Sequence, residues 1–190
     1  MGMNTPNKLT FLRILLAFIC IGLIVGDTFF SLLLAFLVFI AASFTDFLDG
    51  YLARKHKLTS DLGKLLDPIA DKILIIGVFC AFLELGIINA WMVSLVMLRE
   101  FIITGLRLYG LNKGVVLEAK HFGKHKTFSQ IVGVCIIFIS LIIGKICPYS
   151  RLTVFLQLRF IPLMMWYIVI ITLFSGVYYF WVNRKTIRTF

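Results

Sequence analysis

Four aspartates, Asp46, Asp49, Asp67 and Asp71, interrupt otherwise apolar stretches of a chain that has only nine Asp and Glu in 190 residues. Asp46 and Asp49 are spaced i,i+3 and would share one helix face. Asp67 and Asp71 are spaced i,i+4 and would share another. A lone Asp at the centre of a membrane span costs about 2.5–3.5 kcal/mol on insertion scales. Four would cost about 10–14 kcal/mol on that scale, and less near span ends. Carboxylates brought together repel unless cations lie between them. Hard oxygen ligands suit Mg²⁺ or Mn²⁺. Two such ions about 3.5–4 Å apart are an arrangement that serves displacement at phosphorus. The alternative is a structural role, with the carboxylates paired to Arg54, Lys64 or Lys72. Against it, Lys72 directly follows Asp71 and points elsewhere on a helix. Arg54 could approach the Asp46 face. Gly50, Ala53 and Gly63 would let a ligand, or a neighbouring helix, come close to the backbone. Pro68 would either open a helix capped by Asp67 or kink one that begins earlier.

The elements that position these residues are membrane spans. The chain is 61% hydrophobic and 15% charged, with a mean hydropathy of +1.00. Soluble domains are about 45–50% apolar and about 25% charged, so a soluble or disordered chain is excluded. At about 20 residues per span, the length allows six or seven spans and little else. The apolar runs predict six, at residues 9–26, 29–52, 65–85, 91–108, 127–146 and 160–182. The first run lacks a small-residue cleavage site and continues into further spans, so it does not read as a signal peptide. The predicted fold is a single all-α integral membrane domain over residues 1–190. Spans two and three are expected to lie side by side and antiparallel, because the connection between them is short.

The basic residues give the orientation. Lys8, Arg13, Arg54, Lys55, Lys57, Lys64, Arg107, Lys113, Lys120, Lys124, Lys126, Arg184, Lys185 and Arg188 fall on one side, and only Lys145, Arg151 and Arg159 on the other. The positive-inside rule then puts both termini in the cytoplasm. A net charge of +10 suits anionic headgroups or an anionic substrate. The scattered basic stretches do not suit nucleic acid. Cys20, Cys80, Cys135 and Cys147 form no CxxC and read as buried free thiols. His121 and His125 are spaced as zinc ligands but lack a third, so they read as a solvated loop pair. His56 also reads as a loop residue.

The run Asp46-x2-Asp49-Gly50-x2-Ala53-Arg54-x8-Gly63-x3-Asp67-x3-Asp71 resembles the signature of the CDP-alcohol phosphatidyltransferase family at all eight fixed positions. Residues 6–13, 98–107 and 123–130 extend the resemblance. It implies a six-helix membrane bundle, usually a homodimer, in a bacterial inner membrane, with two divalent cations in a cytoplasm-facing site. It also implies transfer of a phosphatidyl-type group from a CDP-linked donor to an alcohol, with release of CMP. The nearest resemblance is to bacterial members whose donor is CDP-diacylglycerol and whose acceptor is glycerol 3-phosphate. Carried over by position, Asp46, Asp49, Asp67 and Asp71 resemble the metal ligands, and Asp71 the general base. Asn7, Thr10, Gly50, Ala53, Arg54 and Ser60 resemble contacts to the CDP donor.

A dianionic acceptor needs cations. Arg99 and Arg107 lie eight residues apart on roughly one face of the fourth span, and Lys120, Lys124 and Lys126 precede the fifth. Together they predict an acceptor-phosphate pocket. The lysines could instead anchor a cytoplasmic loop, and Arg99 could pair with Glu100. Two rival readings remain. One is the same chemistry with serine or inositol phosphate as acceptor. The other is a divalent-metal transporter, disfavoured because the aspartates cluster near one membrane face.

Overall fold

The computed structural model describes residues 5–56, 61–113 and 122–187. Within these it describes the backbone alone for 5–9, 46–56, 61–68, 71, 111–112, 122–124, 185 and 187. All regular elements among the described residues are helices: α1 (Thr5–Val25), α2 (Phe29–His56), α3 (Asp61–Glu84), α4 (Ala90–Asn112), α5 (Phe122–Ile146), α6 (Arg151–Phe155) and α7 (Ile161–Ile187). A π-helical turn, Leu156–Phe160, joins α6 to α7.

Local chemistry sets the ends. Past α1 the chain turns at Asp27, whose φ is 46°. Thr28 then caps α2. Its Oγ1 accepts from the Ser31 N–H at 3.1 Å, while the Thr28 N–H donates to Ser31 Oγ at 2.9 Å. This is a reciprocal capping box with Ser in the usual Glu position. After α3, Gly86 takes a φ of 71°. The Gly86 N–H then reaches the Leu83 carbonyl, and the Ile87 N–H that of Phe82, which is the Schellman closure that favours glycine. Asn89 caps α4 through Oδ1, which accepts from the Trp91 N–H at 3.0 Å. Ser150 caps α6, so helix begins at Arg151, before the predicted residue 160. The Ile161 N–H bonds back to the Leu156 carbonyl. That wider turn comes just before Pro162, which has no N–H to donate.

One packing expectation is corrected. The antiparallel spans predicted to lie side by side, α2 and α3, touch only sparingly among the described residues, and α1 packs extensively on both. Ala17, Cys20 and Ile24 of α1 and Leu32, Ala35 and Phe39 of α2 are buried in one core cluster. Cys20 Sγ comes within 3.4 Å of the Ala35 carbonyl. Around this pair α4 packs on α3 and α7, and α5 packs on α2, α3 and α7. Phe138 of α5 is fully buried and gathers Phe36, Phe39 and Phe82, with ring centroids 5.4, 5.9 and 5.2 Å away.

The surface is apolar as well. Phe11, Phe18, Phe30, Leu163 and Val177 are all more than 60% exposed, in keeping with a surface that faces hydrocarbon. His125–Ile146 and Arg151–Arg184 are each long and apolar enough to cross a membrane. All four cysteines are free, but only Cys20 is buried. Cys135 is partly buried, and Cys80 and Cys147 are exposed. The expectation of buried thiols therefore fails at Cys147, just past α5, and at Cys80, which lies on the outward face of α3 beside buried Phe79 and Ala81.

Candidate active site

The motif lies on two unbroken helices. Asp46, Asp49, Gly50, Ala53 and Arg54 belong to the C-terminal turns of α2, and Gly63, Asp67 and Asp71 to the N-terminal turns of α3. Unbroken helix makes the i,i+3 and i,i+4 spacings real face relationships. The side chains of the four aspartates lie outside the described residues, as do those of Asn7, Arg54 and Lys124; Ser60 and Lys120 lie outside them altogether. Because α3 begins at Asp61, Pro68 is interior to it and Asp67 is not its N-cap. Pro68 thereby removes the helical bond to the carbonyl of residue 64. His56 closes α2, and His125 stands exposed in the first turns of α5, so neither is a loop residue. Among the described residues no three His, Cys, Asp or Glu side chains gather as metal ligands.

The end of the bundle that carries the motif also collects buried charge. Thr10 and Arg13 are buried on the N-terminal half of α1. Glu100 of α4 is only 5% exposed. Its Oε2 accepts from Lys72 Nζ of α3 at 2.9 Å. Its Oε1 accepts from Arg99 Nη1 at 3.4 Å and from Lys126 Nζ of α5. Arg99 Nη2 donates to Ser175 Oγ of α7 at 2.8 Å. The guanidinium stem lies against Gly176, where a Cβ would come within 3.0 Å of Arg99 Cγ. One carboxylate thus joins cations from three helices, and through Arg99 a fourth.

The described side chains do not balance one another in charge. Among the described residues, Lys72, Arg99 and Lys126 surround Glu100 alone, an excess of two positive charges. Removing an ion from water costs several kcal/mol even after relaxation. A buried excess of cations is therefore a standing field for an anion.

Of the residues predicted for an acceptor pocket, the fold brings Arg99 and Lys126 together on Glu100. Arg107 lies two turns further along α4, exposed and outside these contacts. Lys72 and Glu100 were considered only as partners for other charges. The available signal was that Glu100 is the sole carboxylate of its predicted span. Ser175 gave no signal, because a Ser in an apolar helix commonly bonds its own helix backbone.

Comparison with known proteins agrees with the motif. The profile of the CDP-alcohol phosphatidyltransferase family matches residues 3–178. A Bacillus subtilis protein named CDP-diacylglycerol–glycerol-3-phosphate 3-phosphatidyltransferase is 36% identical over 98% of this chain and 98% of its own. Proteins of the same name from Rickettsia bellii and Rickettsia typhi are similar too. The first is 32% identical over 96% of each chain. The second is 36% identical over 72% of this chain and 76% of its own.

Proposed function

The chain belongs to the CDP-alcohol phosphatidyltransferase family, and we propose that it transfers the phosphatidyl group of CDP-diacylglycerol to glycerol 3-phosphate, giving phosphatidylglycerophosphate and CMP. The observation that carries the reading is the complete motif on two unbroken helices, α2 and α3, at the end of the bundle where Lys72, Arg99 and Lys126 gather on Glu100. Relatives of nearly equal length that bear the name of this activity support the choice of acceptor.

The setting is a bacterial inner membrane, crossed six times, with both termini and the site on the cytoplasmic side and the chain a homodimer. The distribution of Lys and Arg and the apolar surface support the topology. The donor's lipid tails stay in the bilayer while its diphosphate lies at headgroup level. Asp46, Asp49, Asp67 and Asp71 are the residues that would hold two Mg²⁺ or Mn²⁺ ions, and an all-carboxylate donor set fits such hard cations. When bound, these ions neutralise the diphosphate and ease departure of the CMP phosphate. Asn7, Thr10, Gly50, Ala53, Arg54 and Ser60 form the donor-binding side. Arg99, Arg107, Lys120, Lys124 and Lys126 are the residues that would receive the acceptor phosphate, with Arg suited to bidentate contact. Asp71 accepts the proton of the sn-1 hydroxyl. The freed oxygen forms a bond to the lipid-side phosphorus as the bond from that phosphorus to CMP breaks.

The test is CMP release by the purified protein with CDP-diacylglycerol and Mg²⁺ or Mn²⁺, across glycerol 3-phosphate, serine, inositol and inositol phosphate. Metal-dependent, chelator-sensitive release with glycerol 3-phosphate alone is expected. Release with another acceptor would keep the reaction and reject the acceptor. Cation flux in liposomes without CMP release would point to a transporter.

A further inference from the structure

Glu100 takes no part in the chemistry set out above, yet three cations converge on it. We infer that Glu100, with Ser175, is a positioning residue for the acceptor site, holding Arg99 and Lys126 side by side to receive the phosphate of glycerol 3-phosphate. This inference rests on the proposed reaction.

The geometry divides the two oxygens of Glu100. Oε1 takes both Arg99 and Lys126, which sets their charged ends one carboxylate oxygen apart, and Oε2 takes Lys72. Lys and Arg are rich in rotamers, and fixing them before the ligand arrives lowers the entropy lost on binding. Ser175 completes the clamp on Arg99 from α7. The clamp leaves donors unused. Among the described residues, Arg99 Nε is buried without a partner, and so is Gln130 Nε2, one turn beyond Lys126 on α5. Buried donors of this kind await an acceptor. Lys72 adds a second consequence: it immediately follows Asp71, so its tie to Glu100 sets the rotation of the motif helix relative to the cation pair.

A simpler role would be charge balance, with Glu100 only reducing the cluster's positive excess. The two roles predict opposite signs. If Glu100 merely neutralises, Glu100→Gln strengthens the field on the phosphate and the KM for glycerol 3-phosphate falls. If it positions, Arg99 and Lys126 drift apart and that KM rises. Glu100→Asp keeps the charge but withdraws it by one methylene. Positioning predicts a raised KM here too, while charge balance predicts wild-type behaviour.

The experiment measures CMP release by the full-length protein in mixed micelles, titrating each substrate separately, with thermal midpoints recorded alongside. Expected for Glu100→Gln is a rise of about tenfold or more in the KM for glycerol 3-phosphate, the scale set by losing hydrogen bonds to charged groups. The KM for CDP-diacylglycerol should stay within about twofold. Ser175→Ala, which buries no new charge, should raise the acceptor KM by about tenfold or more, as expected for one lost hydrogen bond to a charged group. An unchanged or lowered acceptor KM in Glu100→Gln overturns the inference, as does an equal rise for both substrates. Should Glu100→Gln fail to fold, Glu100→Asp and Ser175→Ala decide, and wild-type acceptor KM in both overturns it. A wild-type protein that releases no CMP with glycerol 3-phosphate would instead reject the proposed reaction.

Discussion

Gly176→Ala is a single-methyl test of whether Arg99 serves the acceptor. The added Cβ would lie 3.0 Å from Arg99 Cγ, with Nε at 3.5 Å and Cδ at 3.9 Å. Carbon atoms pack best at about 3.5–4.0 Å, so the stem must withdraw by about 0.5 Å or more at one carbon. That carbon is close to the α4 backbone, where the side chain has little freedom, so the shift is carried out to the guanidinium. The Ser175 hydrogen bond, 2.8 Å long, would pass the usual limit of about 3.2 Å. A hydrogen bond to a charged group contributes about 1.5–3 kcal/mol, and about 1.4 kcal/mol is tenfold. Full loss would therefore raise the KM for glycerol 3-phosphate by about 10- to 150-fold; partial adaptation of Arg99 gives the lower figure. Ala favours helix over Gly by about 0.8–1 kcal/mol, which offsets only part of a lost hydrogen bond to a charged group, so the thermal midpoint should fall slightly. The assay is CMP release against each substrate, with the thermal midpoint of the same sample. A lowered thermal midpoint together with a wild-type acceptor KM would refute the placement of Arg99 at the acceptor.

Three further outcomes follow from the same site and core. Asp71→Asn should keep its thermal midpoint and lose about 10²–10⁴-fold in turnover, the contribution typical of a general base; near-normal CMP release would exclude that role. Arg107→Ala should raise the requirement for glycerol 3-phosphate far more than that for CDP-diacylglycerol, and equal effects on the two would remove it from the acceptor site. Phe138→Ala should destabilise by about 3 kcal/mol, the low end for Phe→Ala, because the transfer part of the cost is absent where the surroundings are lipid. A thermal midpoint equal to wild type would show that the aromatic cluster is dispensable.

The helical setting of the motif was legible because its signals are local. Asp46 with Asp49, and Asp67 with Asp71, declare a shared face once the segment is known to be helical. Apolar composition declares that much. What spacing could not give was the neighbour of each helix. α2 and α3 are consecutive, yet among the described residues α1 packs on both more extensively than they pack on each other, with Cys20 Sγ against the Ala35 carbonyl. Such a fit depends on the shapes of two surfaces, and neither is written in one segment. The Glu100 cluster shows the same division. The buried pair Arg99–Glu100 announces that partners are needed, but nothing within α4 tells that they come from α3, α5 and α7.

The bundle separates what holds it together from what it does. Around Phe138 the contacts are aromatic and aliphatic, and nothing there needs a ligand to be satisfied. The end that carries Asp46 and Asp71 buries Arg13, Arg99, Glu100, Lys126 and Gln130. Buried ion pairs add little net stability, since their desolvation offsets their attraction. A hydrophobic replacement of similar volume would often hold four helices together as well. Folding alone does not explain the cluster, and among the described residues its three cations around one carboxylate would be a poor choice for a purely structural joint. In the proposed reaction such cations become useful, because a phosphate dianion must be drawn from water toward a motif of four aspartates that would otherwise repel it. Glu100 makes that field tolerable without the ligand, and Ser175 and Gly176 fix where one of its sources stands. Changes in the aromatic end should then move stability without altering substrate preference, whereas changes in the polar end should alter the acceptor requirement, and also lower stability where they remove one partner of a buried pair.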